Sequence, residues 1–285
     1  MLPADLRNHC RRRMLPAGLR VAVLLAAATV TFGCATPFPA EEFPRRSLPQ
    51  GWMPQWRELA PGIDYARWQG EGFPPFHLVQ LDLERAALEL PPPFPEGARL
   101  RELLKRPGVA GVINASPFRF TGDAGNRRME PAVLWIAGGR RYSSGEKQWA
   151  VLWYDREAER LRITGEAPGT DEARWAAGGF LPIIRDGRNV GIHGQRHART
   201  AAGLRKGGRE ICFLVIEGER LGNAGVTSWE AAQVLLRLGI REALNLDGGR
   251  SSALLLQPAA EAAVVEFTAG RWQLPCLILL KRGDS

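Results

Sequence analysis

The chain has 285 residues, 45% hydrophobic and 24% charged, with 38 Lys and Arg against 30 Asp and Glu for a net charge of +8. This composition supports a folded domain with a sizeable core and excludes a disordered or collagen-like chain. No basic run is interleaved with aromatic residues, so the charge is no argument for nucleic acid; it favours an anionic substrate or surface.

In chain order, Arg11-Arg12-Arg13 and Arg20 precede an apolar run at 21–30 and then Thr31-Phe32-Gly33-Cys34. A basic region, a short apolar core and small residues before a break make a secretory signal. The core is shorter than the ~20 apolar residues a membrane-spanning helix needs. Gly33-Cys34 resembles the lipobox of bacterial lipoproteins, although Thr31 stands where leucine is usual. The resemblance implies a signal peptide over 1–33, lipidation of Cys34 and a membrane partner reached through that anchor. Ala35 in place of an aspartate retention signal implies the periplasmic side of the outer membrane. An ordinary signal peptide cleaved nearby is the alternative, and Met14 opens a second Met-Leu-Pro-Ala copy that can serve as the start. Removal of 1–33 takes away five arginines and Asp5, which leaves a net charge of +4.

Residues 34–55 carry Pro37, Pro39, Pro44, Pro49 and Pro54 and read as an extended tether. One domain follows over 56–285, with no second linker. Strands are expected at 76–83, 87–90, 109–113, 132–136, 149–154, 161–163 and 211–216, with a short helix at 99–105 ended by Pro107-Gly108. Residues 175–182 are small and glycine-rich, and 193–200 form a polar stretch. The best-marked helix is 228–238: Thr227 and Glu230 form a capping box, Ala231, Val234, Leu235 and Leu238 share one face, and Gly239 ends it. Residues 274–280 make a last apolar strand. Strands outnumber helices without regular alternation, so the class is α+β, a single domain with a large mixed, twisted β-sheet core and a few flanking helices. Cys212 and Cys276 lie in apolar runs; they can pair in an oxidising compartment, but two buried thiols are the simpler reading.

The chemistry concentrates in Asn245-Leu246-Asp247-Gly248-Gly249-Arg250-Ser251-Ser252, between apolar strands at 243–246 and 253–256. A hairpin turn needs Asp-Gly alone; it does not need an amide before it or Arg-Ser-Ser after it. With Asn114 before Ala115-Ser116-Pro117-Phe118, Gly178-Gly179, Ile183-Ile184-Arg185-Asp186-Gly187 and Arg199-Thr200-Ala201-Ala202-Gly203, this stretch resembles the phosphodiester glycosidase family. The resemblance spans roughly 61–282. It implies hydrolysis at the anomeric carbon of a sugar-1-phosphodiester on an envelope glycan or glycophosphate. Asp247, Arg199 and Asn245 are then the catalytic residues. Asn114, Thr200, Gly248, Gly249, Arg250, Ser251, Ser252 and His197 would touch substrate, with the Gly248 and Gly249 amides in an anion nest. No clear second carboxylate accompanies Asp247, where ordinary glycosidases use a pair; Asp123 and Glu130 are the candidates. Ala115, Ser116 and Arg250 replace family glycines, so their side chains are expected to narrow the cleft, and Arg250 either adds a phosphate ligand or blocks the site. Arg271 stands where the family has an asparagine-bearing segment. A non-catalytic lipoprotein that binds anionic glycans through the same cleft is the alternative. His193 and His197 are four apart but among glycines, so no metal site is expected; no cofactor is required, and a divalent cation at Asp247 lacks a carboxylate cluster. The sequence names no protein partner.

Overall fold

The run Ile211-Cys212-Phe213-Leu214-Val215-Ile216 has no polar alternation, the pattern of a strand covered on both faces. The computed structural model describes residues 46–123, 125–143, 150–218, 224–257, 265–271 and 273–283; the expected signal and Cys34 lie outside the described residues. This run sits inside an eight-stranded sheet. Its strand order is Arg57–Ala60, Ile63–Trp68, Phe76–Asp82, Glu210–Ile216, Arg199–Arg205, Glu242–Asn245, Leu181–Arg185 and Arg188–Asn189. Val79, Leu81, Phe213, Val215 and Leu244 face the main core. Leu78, Leu214, Ile216 and Ala243 on the other face pack with Ala231, Val234 and Leu235 of the helix Ser228–Arg237.

Two five-stranded sheets close the same core. One has the order Val265–Thr268, Ala253–Leu256, Val109–Asn114, Leu277–Arg282 and Ala86–Glu89. It gives Ile113, Leu254 and Ile278 to the core, while Val112, Leu255 and Leu279 face Leu103 and Leu104 of the short helix Leu100–Leu104. The other has the order Arg140–Ser143, Trp135–Ala137, Ala173–Gly179, Ala150–Asp155 and Arg160–Thr164, and contributes Trp135, Leu152 and Trp175.

The expected sheet-rich core with a few flanking helices is present, but the single mixed sheet is corrected. Among the described residues there are two α-helices, the core is shared by three sheets, and every strand pairing between named strands is antiparallel. Parallel neighbours need long crossovers, usually helical, and two helices supply too few. The glycine-rich stretch is also more regular than its composition suggests: Ala173–Gly179 is a strand, and the chain then passes from one sheet to another. A Cβ on Gly179 would stand 2.6 Å from the Asn245 carbonyl oxygen, where two sheets meet too closely for a side chain, and one on Gly178 would stand 2.9 Å from Val133 Cβ in the bend before Trp135.

Part of the expected tether belongs to the domain. Leu48 is buried beside Phe73 and Phe76, and the Arg237 guanidinium donates to the Leu48 and Pro49 carbonyls. Cys212 and Cys276 are both free and buried, Cys212 in the strand Glu210–Ile216 and Cys276 in the bend before the strand Leu277–Arg282. Burial pushes the Cys212 thiol up to about 12, which leaves it an inert apolar filler.

The capping box forms as the sequence predicts. Thr227 Oγ1 accepts from the Glu230 N–H at 3.1 Å, and Glu230 accepts from the Thr227 N–H at 2.9 Å. The same carboxylate binds the Arg196 guanidinium at 2.8 Å and the Arg46 N–H at 3.0 Å, so one buried side chain fixes a helix end, the amino-terminal segment and the loop leading to Arg199. Thr227→Ala is expected to lower stability by about 1 kcal/mol. Glu230→Ala is expected to cost roughly 2–4 kcal/mol, because it also removes the Arg196 ion pair and the Arg46 anchor. Urea unfolding of both variants checks this; equal small effects would confine Glu230 to the cap.

Candidate active site

The two strands flanking the Asp-Gly-Gly loop lie in different sheets. Glu242–Asn245 belongs to the eight-stranded sheet and Ala253–Leu256 to a five-stranded one, so residues 246–252 cross a seam rather than close a hairpin. Backbone bonds pin the crossing: Leu246 N–H donates to the Thr200 carbonyl at 2.9 Å, Asp247 N–H to Ala115 at 2.8 Å and Gly249 N–H to Ala198 at 2.8 Å. The chain then turns through a short 3-10 segment, Gly249–Ser251, where Gly249 takes φ +56°, a conformation glycine reaches without a Cβ clash.

Asn114, at the end of its strand, ties the seam from beneath. Its Nδ2 donates to the Asp247 carbonyl at 2.7 Å; its Oδ1 accepts from the Thr200 hydroxyl at 2.7 Å and the Ala253 N–H at 2.9 Å. Asn114 is 1% exposed and Thr200 0% exposed, so both are closed to a ligand in this conformation. Asn245 and Ser252 are buried as well; Asn245 Nδ2 donates to the Leu246 carbonyl, while Asn245 Oδ1 and the Ser252 hydroxyl have no hydrogen-bond partner among the described residues. Four residues expected at a substrate thus form the floor of the loop. Removing the Asn114 amide would strand three buried groups at roughly 1–3 kcal/mol each.

Gly248 N–H donates to Asp247 Oδ1 at 2.9 Å and Gly249 N–H to Ala198, so both amides are spent on the loop itself. Ala115 is buried in the core and the Ser116 hydroxyl donates to the Gly178 carbonyl at 2.7 Å; neither side chain narrows a cleft.

The carboxyl of Asp247 sits half-buried above this floor. Burial pushes its pKa up from 3.8 to about 6, against the Ser251 hydroxyl, the Gly248 N–H and the Arg271 charge, all of which favour the ionised form. Desolvation outweighs the three partners together. Asp123 and Glu130 are exposed on or beside the hairpin Phe118–Thr121 and Arg128–Pro131, and neither is among the groups that shift Asp247. Among the described residues, no three His, Cys, Asp or Glu side chains gather as a metal site.

Arg199 lies beside the loop: a Cβ on Gly248 would stand 3.9 Å from its Cδ. Its guanidinium donates to the carbonyls of Val226 at 3.1 Å and Gln195 at 2.7 Å, which fixes its position. His197 pairs through its backbone with Val226, and its Nε2 lies 3.3 Å from Gln195 Oε1; His193 instead packs on the Trp229 ring at 4.6 Å. Arg250 is exposed and runs over Gly270, where a Cβ would stand 3.4 Å from its Nε. It therefore turns away from the loop and lines a cleft of about 750 Å³ with Arg99, Arg101, Phe120 and Arg271. Asp247 is not in the cleft wall; Arg271 connects the two, since it lines the cleft and its charge acts on Asp247. Arg99, Arg101 and Phe120 carry no motif spacing, and only their convergence in space marks them.

A half-buried carboxyl raised to about 6, with a serine hydroxyl and the Arg271 charge beside it, is the kind of site that serves nucleophilic or acid–base chemistry on an anion. Residues 107–279 match the model of the phosphodiester glycosidase family, and the chain belongs to that family. A search of curated proteins finds no match. Among solved structures, the catalytic domain of zebrafish N-acetylglucosamine-1-phosphodiester alpha-N-acetylglucosaminidase, auto-inhibited by its pro-peptide, is similar at 16% identity and a TM-score of 0.56, over 80% of this chain and 86% of that one. A hypothetical protein from Synechocystis is similar at 15% identity and a TM-score of 0.58, over 77% of this chain and 62% of that one. A putative exported protein from Burkholderia pseudomallei K96243 is similar at 13% identity and a TM-score of 0.50, over 76% and 74% of the two chains. At these identities the likeness is one of fold.

Because the Asp247 carboxyl holds its proton more tightly folded than unfolded, it weakens the fold as pH rises from 3.8 through about 6 and costs stability above that. Asp247→Asn is therefore expected to stabilise the chain at pH 7.5 by on the order of 1–3 kcal/mol, with the gain fading towards pH 4. Thermal or urea unfolding across pH reads this; a destabilised variant at pH 7.5 would contradict it.

Proposed function

We propose that the protein hydrolyses a sugar-1-phosphodiester of a cell-envelope glycan or glycophosphate, with Asp247 as the nucleophile or base. The observation that carries this reading is the Asp247 carboxyl itself: half-buried, raised to about 6, held by Gly248 N–H and Ser251, and facing the Arg271 charge. Above pH 6 it is ionised and able to attack the anomeric carbon or to take a proton from a water that does. The bond from the anomeric carbon to the phosphate oxygen breaks; water supplies a hydroxyl to the sugar and a proton to the departing phosphate. That group leaves as a stabilised anion, so a second carboxyl acting as a strong acid is unnecessary, in contrast to the pair used on ordinary glycosides. Arg199, fixed beside Gly248, supplies positive charge near the scissile phosphate. N-acetylglucosamine is the first sugar to test, because the zebrafish enzyme's name specifies it. The lipoprotein-type signal ending at Cys34 supports attachment to an envelope membrane. Among the described residues no helix is long and apolar enough to cross a membrane.

The test is release of free sugar from a panel of sugar-1-phosphodiesters by the full chain and by Asp247→Asn. The parent is expected to release sugar at a rate that rises through about pH 6, and the variant to lose at least about a thousandfold. Equal release by both would remove Asp247 from the chemistry. Saturable binding without release by either would favour a non-catalytic glycan-binding protein.

A further inference from the structure

The cleft beside Asp247 carries more positive charge than one phosphodiester needs. Four arginines, Arg99, Arg101, Arg250 and Arg271, line it against a single carboxylate, Glu266. Glu266 is committed to Arg101 through an ion pair. Among the described residues, Arg99, Arg250 and Arg271 form no close ion pair, although the Arg271 charge acts on Asp247. Gathering like charges in a concave site is unfavourable unless an anion neutralises them, and it raises the local concentration of anions.

Two further features suit a ligand rather than a solvated surface. Arg271 lies over the rings of both Phe118 and Phe120, 5.5 Å from each centroid, which holds its guanidinium plane in place. Phe120 remains 40% exposed although Arg127 also lies over its ring at 3.7 Å, so the cleft keeps part of an apolar ring beside its charges. The cleft is displaced from Asp247, whose carboxyl is outside its wall, and it joins that site through Arg271 and through Arg250, three residues along the same loop.

We infer that the Arg99–Arg250–Arg271 cleft binds a second anionic group of the substrate, one repeat beyond the scissile phosphodiester, so that the preferred substrate carries at least two phosphates. This rests on the reading of the Asp247 site as the place of hydrolysis. The second phosphate is a bystander in the reaction: no bond to it forms or breaks. It orients the leaving-group side of the substrate, and the short carbon chain joining the two phosphates lies along Phe120. Arg250, which replaces a glycine of the family pattern, is then a specificity residue rather than an obstruction.

Calorimetric titration of the full chain with three probes tests this. They are the methyl phosphodiester of N-acetylglucosamine 1-phosphate, its 3-phosphopropyl counterpart, and sugar-free 1,3-propanediol bisphosphate. The 3-phosphopropyl ester is expected to bind about tenfold tighter than the methyl ester, as charge-assisted bonds to a second phosphate require. That ratio should collapse to within about twofold in Arg250→Gly and in Arg99→Gln, the second variant serving if the first fails to fold. Equal affinity for the two esters, or a ratio untouched by both substitutions, would overturn the inference. Bisphosphate binding that depends on Arg250, with neither ester bound, would keep the cleft and reject the sugar-phosphodiester reading. No binding of any probe would reject the cleft.

Discussion

Where the eight-stranded sheet meets the five-stranded sheet, the carboxamide of Asn114 binds the Asp247 carbonyl, the Thr200 hydroxyl and the Ala253 N–H, and so joins three separate stretches of chain. Each of those stretches carries a part of the site. Thr200 follows Arg199, Asp247 bears the carboxyl, and Ala253 opens the strand after Ser251 and Ser252. The bonds that Asn114 makes fix the arrangement of the seam, and that arrangement sets where Asp247 points. The residues above the seam are free for chemistry because those below it are not.

That division explains how much was legible in the sequence. The strands 211–216 and 109–113 and the capped helix at 228–238 were legible, because burial on both faces and capping chemistry leave local marks. The cluster around Asp247 was legible as a motif, since amide, carboxylate, glycines and hydroxyls sit in one short run. Its internal division was not. Asn114 and Asn245 look like ligand-binding amides in the sequence, yet each spends its donors on backbone carbonyls, and only tertiary packing reveals that. The bonds that the Gly248 and Gly249 amides make within the loop are hidden from the sequence for the same reason. Gly178 and Gly179 looked irregular because glycine disfavours strands locally; the close approach of other stretches of chain overrides that preference.

The electrostatics follow from the same geometry. Raising the Asp247 pKa by desolvation costs folding free energy at neutral pH, an expense commonly met at sites that do chemistry rather than at surface turns. Four arginines gather in the neighbouring cleft. Arg99 comes from the edge of the short helix, Arg250 from the loop and Arg271 from the far end of the chain, so no sequence window could show them together.

The central claim is that the buried seam holds Asp247 in an environment that makes its carboxyl an unusually weak acid. The direct measurement is a carbon-13 NMR titration of the Asp247 side-chain carboxyl in the full chain, assigned by comparison with Asp247→Asn. A midpoint near 6 is the predicted result. A midpoint near the ordinary value of 3.8 would mean that the carboxyl is solvated like any surface aspartate, and would remove the physical basis for its place in the chemistry.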